Sequence, residues 1–486
     1  MVSWYFHIFY DNAGRGGVIV SGGVKMNEKT LLSLAYGAAF PERKGGVAFT
    51  DLDALTSRFQ AGDAWLRENA ADGKEGFGWM NLSRRNVDDV QIMARWLATR
   101  ESVIQVGIGG SALGNLMLHG ALLPSFWNEI PATKRGGPRF FMADNVDSSE
   151  NRAIWDLIDP ESTAVVVVSK SGSTAETASN FLFFWEKLRD TLGEAGARER
   201  VIVITDKEQG ILRPFVDETG CKSLILPGDV GGRFSVLTCV GLLTGWALGI
   251  DCAALLKGAG EMDELIAGAK TVLENPAWIL AGLHYLHMNA DRGVNVLMSY
   301  ADPLEKFGEW FAQLWGESLG KEGKGSTPVR ALGAIDQHSQ IQLYTSGPDD
   351  KFYTILTVEQ GKRDIALPAA PEKAMKKLSY LYGKSMDKLR NFEAEATVAA
   401  LYKMGRPVVS LSIPTLDARH LGALIHFYEY VTAMTGWLMD INPFDQPGVE
   451  QGKKYTYGLM GREGFEADAE EVRSLSARTG ERVSSL

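Results

Sequence analysis

The stretch Ala164-Val165-Val166-Val167-Val168-Ser169-Lys170-Ser171-Gly172-Ser173-Thr174-Ala175-Glu176-Thr177 decides the fold. Four consecutive valines leave no polar face, so the segment reads as a strand covered on both sides, as in a parallel sheet. The chain then turns through a short polar loop and enters a helical pattern over residues 174–192. Strand, loop and helix in that order make half of a βαβ unit.

Working outward, the same alternation recurs. Residues 102–106, 139–142, 201–205 and 224–226 read as further strands, and residues 113–123 and 148–158 as helices between them. Upstream, residues 24 to about 100 read as irregular and helical, with Asp51-Leu52-Asp53 opening one helix and residues 87–97 forming an amphipathic one. Downstream, residues 253–289 read as a continuous helical connector. A second series follows, with strands at 295–299, 352–358 and 408–413 and a helix at 303–319. The long helix at 416–439 carries Leu421, Leu424, Ile425, Tyr428, Val431 and Leu438 on one face. These patterns predict an α/β protein with two doubly wound parallel sheets and flanking helices, an α-β-α sandwich. The expected divisions are residues 1–85 (helical and irregular), 86–252 (first α/β domain, phosphate-binding), 253–290 (connector), 291–440 (second α/β domain) and 441–486 (C-terminal segment).

Composition narrows the function classes. A chain of 486 residues with 45% hydrophobic and 23% charged residues is ordinary globular sequence. A net charge of -10 argues against nucleic acid or an anionic membrane surface as partner. No apolar run has the length of a membrane span, and residues 1–23 lack the features of a secretory leader. Cys221, Cys239 and Cys252 fit neither a disulfide framework nor a metal site. His284 and His287 are spaced i,i+3 but have no carboxylate companion, so no metal is expected. His119, His284, His287 and His426 lie in apolar helical sequence and read as core residues. The expected compartment is the cytoplasm.

Two loops carry chemistry. Gly107-Ile108-Gly109-Gly110-Ser111-Ala112-Leu113-Gly114 follows the first strand and lets backbone N–H groups approach a ligand. It also satisfies a loose dinucleotide fingerprint, with Asp144 where a ribose ligand would fall. A tight strand-to-helix turn explains the glycines equally well, and the loop alone leaves both open. The loop after the valines offers four hydroxyls, Lys170 and a helix N-terminus, which suit a phosphate monoester. The competing reading is an N-cap at Ser173 or Thr174 supported by Glu176 or Thr177, but a cap needs one hydroxyl.

Further segments narrow the match: Gly231-Gly232-Arg233-Phe234-Ser235-Val236-Leu237, Gln313-Leu314-Trp315-Gly316-Glu317-Ser318-Leu319-Gly320-Lys321, Gly333-Ala334-Ile335-Asp336-Gln337-His338-Ser339-Gln340-Ile341-Gln342-Leu343, and Asn442-Pro443-Phe444-Asp445-Gln446-Pro447-Gly448-Val449-Glu450-Gln451-Gly452-Lys453. Together with the two loops they resemble, in order from about residue 100 to 460, the bacterial branch of the phosphoglucose isomerase family. The resemblance implies two sugar isomerase domains. It also implies reversible conversion of glucose 6-phosphate to fructose 6-phosphate by ring opening and C1–C2 proton transfer through an enediolate, without a cofactor.

It gives Glu317 the role of base and Arg233 that of the cation beside the enediolate oxygen. His338 and Lys453 would act in ring opening, with Glu176 orienting the histidine. Ser169, Ser171 and Thr174, with the Lys170 backbone, would hold phosphate, and Gly110, Ser111 and Gln446 would contact the sugar. His338 would arrive from the neighbouring subunit of a homodimer. Independently of the resemblance, Glu317 follows an apolar stripe and falls near a helix C-terminus, where a carboxylate is disfavoured. Arginine stays charged throughout, as a stabiliser must. Three alternatives stand beside this reading: a non-catalytic sugar-phosphate sensor of the same fold, an isomerase that also accepts mannose 6-phosphate, and a dehydrogenase built on the Gly107 loop.

Overall fold

A computed structural model describes residues 4–10, 16–22, 30–41, 46–370 and 372–480. The strands, in chain order, are β1 (Trp4–Tyr10), β2 (Gly16–Gly22), β3 (Ser33–Ala35), β4 (Ser102–Val106), β5 (Arg139–Ala143), β6 (Thr163–Val168), β7 (Val201–Thr205), β8 (Lys222–Ile225), β9 (Val294–Tyr300), β10 (Thr327–Leu332), β11 (Lys351–Gln360) and β12 (Val408–Thr415). The chain divides into two compact units, Met1–Pro443 and Phe444–Leu486.

Within the first unit, one five-stranded sheet has the order β5-β4-β6-β7-β8, parallel throughout. Val165 to Val168 are fully buried, as a strand covered on both faces requires. One face packs Ile104, Val165, Val167, Val201 and Val203 against Phe181, Phe184 and Leu188 of the helix Ala175–Arg200. That helix runs past the end at residue 192 expected from the sequence: it is interrupted at Gly193, whose φ of +70° a side chain would resist, and resumes to Arg200.

The second sheet has the order β10-β9-β11-β12-β3. Its first four strands are parallel, and β3 runs antiparallel to β12 through Leu34↔Leu411. Two of these strands correct the sequence reading. Residues 33–35 lie in the segment read as helical and irregular, and β10 was not expected at all. β10 contains Pro328, which lacks a ladder N–H and is tolerated because β10 is an edge strand. β1 and β2 form a separate antiparallel pair.

The connector is also corrected. Instead of one helix, residues 253–289 fall in Cys252–Ala267 and Pro276–Asn289, separated by a single turn at Val272–Glu274. Pro276 cannot continue a helix from the preceding turn, but it suits the first helical position. Asn275 caps the new helix by accepting from the N–H groups of Ala277 and Trp278. The helix Ala418–Leu438 is buried on all sides from His420 to Gly436, rather than on one stripe. Helices on both sides enclose it, which its mostly apolar sequence permits. Glu429 is the acidic residue buried there, and burial pushes its carboxyl well up. His284, His287 and His426 are core residues, whereas His119 is half-buried. All three cysteines are buried and free, and burial pushes the Cys239 thiol up to about 12.

The C-terminal unit consists of a turn at Pro447–Val449 and the helices Glu450–Leu459 and Glu466–Gly480. Tyr457 meets Phe465 edge to face, and the Arg462 guanidinium lies over both rings. Among the described residues no helix is long and apolar enough to cross a membrane.

Candidate active site

In the first sheet β4 leads to β5 on one side, and β6 leads to β7 on the other. Ligands in open α/β sheets bind where connections diverge in this way, beyond the carboxyl ends of the strands. The two loops singled out in the sequence follow β4 and β6 and therefore flank that point.

The loop after β4 is fixed from beneath. Gln105, buried in β4, donates from Nε2 to the Ser111 carbonyl at 2.8 Å and accepts at Oε1 from Asn115 Nδ2 at 3.0 Å. Gly110 lies against the backbone of Gly232 and Arg233. A Cβ there would come within 2.2 Å of the Gly232 carbonyl carbon, so no larger residue fits without moving one chain. The Ser235 hydroxyl, within hydrogen-bonding distance of the carbonyls of Gly232 (2.7 Å) and Gly110 (3.2 Å), ties the same two segments.

This contact brings Arg233 to the loop. Its side chain is 2% exposed, and a buried guanidinium needs several acceptors. Nε donates to Ser318 Oγ at 2.7 Å and Nη2 donates to the Pro443 carbonyl at 2.6 Å. Nη1 lies 3.3 Å from Glu317 Oε1. The other carboxylate oxygen of Glu317 accepts from Gln313 Nε2 at 3.0 Å. Glu317 sits in the last turn of the helix Glu305–Leu319, as expected, and keeps 24% of its side chain exposed. Its charge, disfavoured by the helix end, is offset by the guanidinium. The Gln313 amide also approaches the first loop, where a Cβ on Gly109 would lie 2.9 Å from Nε2. The sequence reading did not single out Gln313 and Ser318, although both stand in the quoted motif. The i,i+4 spacing of Gln313 and Glu317 was the available signal.

The loop after β6 is braced on its outer side. Gly172 has a φ of +65°, and the Ser171 carbonyl accepts from Ile211 N at 3.2 Å. Ser169 is buried, and its Oγ accepts from Gly172 N at 3.0 Å. Ser171 is exposed and accepts at Oγ from Ser173 N and Ser173 Oγ at 3.3 and 3.0 Å. Thr174 is the N-cap residue of the helix Ala175–Arg200, yet its side chain makes no capping bond. The capping explanation for these hydroxyls therefore does not hold at Thr174. The Lys170 amine turns to the Gly228 carbonyl at 2.8 Å and to Glu75, joining this loop to the segment that leads to Arg233. Glu176 lies half-buried in the first helical turn.

Four candidates remain. His338 follows the turn Ile335–Gln337, is exposed, and its imidazole makes no hydrogen bond among the described residues. Gln446 and Lys453 belong to the C-terminal unit, where Lys453 Nζ pairs with Glu450 at 2.8 Å. Asp144, the ribose candidate, is half-buried. Burial pushes its carboxyl up, and its charged neighbours are Lys306 and Glu309. Among the described residues no three His, Cys, Asp or Glu side chains converge as a metal site would require.

The sequence matches the family described as phosphoglucose isomerase over residues 94–365 and 371–468. It is 43% identical to the glucose-6-phosphate isomerase of Rubrobacter xylanophilus, over 88% of this chain and 97% of that one. It is 41% identical to the enzyme of that name from Carboxydothermus hydrogenoformans, over 87% and 92%. Among solved structures, a hypothetical protein from Thermus thermophilus aligns with a TM-score of 0.78 at 34% identity, covering 85% of this chain and 97% of that one. A glucose-6-phosphate isomerase from Chlamydia trachomatis shares the fold, with a TM-score of 0.74 at 22% identity over 92% of each chain. A chain with this coverage, and with Arg233 and Glu317 joined at the first loop, belongs to the phosphoglucose isomerase family.

Proposed function

We propose that the chain interconverts glucose 6-phosphate and fructose 6-phosphate by ring opening and proton transfer between C1 and C2. The observation that carries this reading is the Arg233–Glu317 pair beside the glycine loop, a carboxylate with one face exposed and a fixed cation against it.

The phosphate takes the hydroxyls of Ser169, Ser171 and Thr174 and the Lys170 backbone, at a helix N-terminus whose dipole favours an anion. This makes residues 86–252 the phosphate-binding domain. Gly110, Ser111 and Gln446 contact the sugar. His338, oriented by Glu176, and Lys453 move the proton that opens the ring. An imidazole suits that task because histidine as a residue type exchanges protons near neutral pH.

In the open form Glu317 removes the C2 proton. The C–H electron pair forms the C1–C2 double bond, and the C1 carbonyl pair moves onto O1. Arg233 meets the negative charge that develops there, a contact worth most at the transition state. The O2 hydroxyl proton is then lost as O1 gains one, so that the O2 pair forms the C2 carbonyl and the C1–C2 double-bond pair takes the proton back from Glu317 at C1. The exposed imidazole of His338 supports its donation to a second copy, so the working form is a homodimer. Anionic intermediates of this kind need no metal, and the compartment is the cytoplasm.

The test is purified protein with fructose 6-phosphate and a chelator, coupled to a glucose 6-phosphate readout. Turnover that falls at least about 1,000-fold in Glu317→Gln is expected. Absent turnover, or turnover indifferent to that change, overturns the reading.

A further inference from the structure

We propose that Ser318 is a positioning residue for Arg233, with its hydroxyl fixing the plane of the guanidinium that faces Glu317. The inference rests on the reading of Arg233 as the cation at the enediolate oxygen.

A guanidinium is planar, with donors fixed in the plane, so its orientation is set by acceptors on different edges. Arg233 meets such acceptors from two parts of the chain, the helix end at Glu317–Ser318 and Pro443. Ser318 Oγ takes Nε at 2.7 Å, the Pro443 carbonyl takes Nη2 at 2.6 Å, and Glu317 Oε1 stands 3.3 Å from Nη1. Only the first is a fully buried side chain, since Ser318 is 0% exposed. The contact to Glu317 is the longest of the three and involves the group that must move a proton, so it cannot itself set the orientation. The contact to Pro443 holds the far corner of the fork and still permits the plane to tilt about that corner. The Nε contact removes that freedom, because Nε lies where the plane joins the side chain.

Ser318 also follows Glu317 directly in the same helical turn. Base and brace are thus carried on one helix, so the carboxylate and the hydroxyl that orients its cation keep a fixed spacing while Arg233 reaches them from the turn Gly232–Phe234. Gln313, one turn earlier, holds the opposite oxygen of Glu317. The carboxylate is therefore held from one side while Ser318 holds its cation from the other. A merely structural role would be a buried hydroxyl satisfying a buried N–H. It would affect folding but not transition-state contact.

The experiment compares kcat and KM for wild type, Ser318→Ala, Ser318→Cys and Ser318→Thr, with Ser318→Ala repeated in an Arg233→Ala background. Loss of the hydroxyl in Ala, or its replacement by the weak acceptor in Cys, should lower kcat about 10- to 100-fold with KM within about twofold. Threonine keeps the hydroxyl and should restore kcat to within about threefold. In the Arg233→Ala background Ser318→Ala should change kcat less than about twofold, since the group it positions is gone. Wild-type kcat in Ser318→Ala, or an equal loss with and without Arg233, overturns the proposal. If threonine does not fold, the Ala, Cys and double-variant data still decide. An inactive wild type would instead overturn the underlying reading of Arg233.

Discussion

The helices that follow β6 and β11 begin in opposite ways, although both strands are the third of five in their sheets. After β6 the chain takes six residues to reach the helix Ala175–Arg200, and the N-cap side chain of Thr174 caps nothing. After β11 it takes 25 residues to reach Met386–Lys403, and there the nearby acceptors are turned inward. Ser385 caps Lys388 N at 3.2 Å. Asp364 Oδ1 accepts from Ile365 N and from Asp387 N, at 2.8 and 3.1 Å. Asp387 Oδ2 accepts from Gly361 N at 2.7 Å. The protein's own Asp364 carboxylate occupies the anion position at the second helix. At the first, hydroxyls surround an N-terminus with no carboxylate cap. On the proposed reading, one architecture used twice carries a phosphate site once, because only one copy leaves its helix start to a ligand.

The largest break in this comparison would come from the loop after β6. The double variant Ser171→Ala/Thr174→Val should raise KM for fructose 6-phosphate about 100-fold, since phosphate contacts serve ground and transition states alike. Its melting temperature should hold to within about 2 °C, as no cap is lost. A melting loss without a KM change would make the loop structural.

Ligand protection sharpens the same contrast. At about 100 times its Kd a phosphorylated hexose should stabilise wild type by roughly 2.7 kcal/mol in thermal melts. The double variant at that concentration should show almost none. Protection that survives the loop change but is lost on Ser385→Ala would assign the anion to the other sheet.

At the second helix the effect should fall on stability alone. Ser385→Ala removes a real cap and should cost about 1 kcal/mol, with KM unchanged. A chemical denaturation series alongside steady-state kinetics measures both.

The smallest effect concerns pH. Hydrogen bonds from Ser385 and the backbone of Asp387 hold the Asp364 carboxyl below the usual carboxylate range. Its stabilisation is present above the unfolded pKa of about 4 and is lost as pH falls through the lower folded value. Asp364→Asn should therefore flatten unfolding against pH slightly below about pH 4, and leave neutral stability slightly reduced. An unchanged acid slope would show that the contact contributes nothing.

Much of this was legible in the sequence, for identifiable reasons. Val165 to Val168 announced a two-sided strand because burial on both faces forbids polar alternation. Arg233 and Glu317 were found through motifs, and the structure joins them. β3 was not legible, because three residues owe their strand state to pairing with Leu411, far along the chain. β10 was hidden by Pro328, which reads as a strand breaker unless the strand is known to lie at an edge. The break before Pro276 was readable from Asn275-Pro276, a cap followed by a first-turn proline, but apolar helical sequence on both sides masked it. Ser318 and Gln313 stood in the quoted motif, but sequence spacing does not tell which acceptor an arginine chooses. Asp364 lies 22 residues before the first residue of the helix it serves, beyond the reach of any local capping rule.

The central claim is that Glu317, beside Arg233, is the group that carries the proton. Solvent deuterium entering the C1 and C2 positions of the hexose phosphate, followed by NMR in D2O, tests it most directly. Wild type should incorporate deuterium during turnover, and Glu317→Gln, folded and still binding phosphorylated hexose, should lose incorporation and turnover together by at least about 1,000-fold. Deuterium incorporation that continues at the wild-type rate in Glu317→Gln would contradict the account.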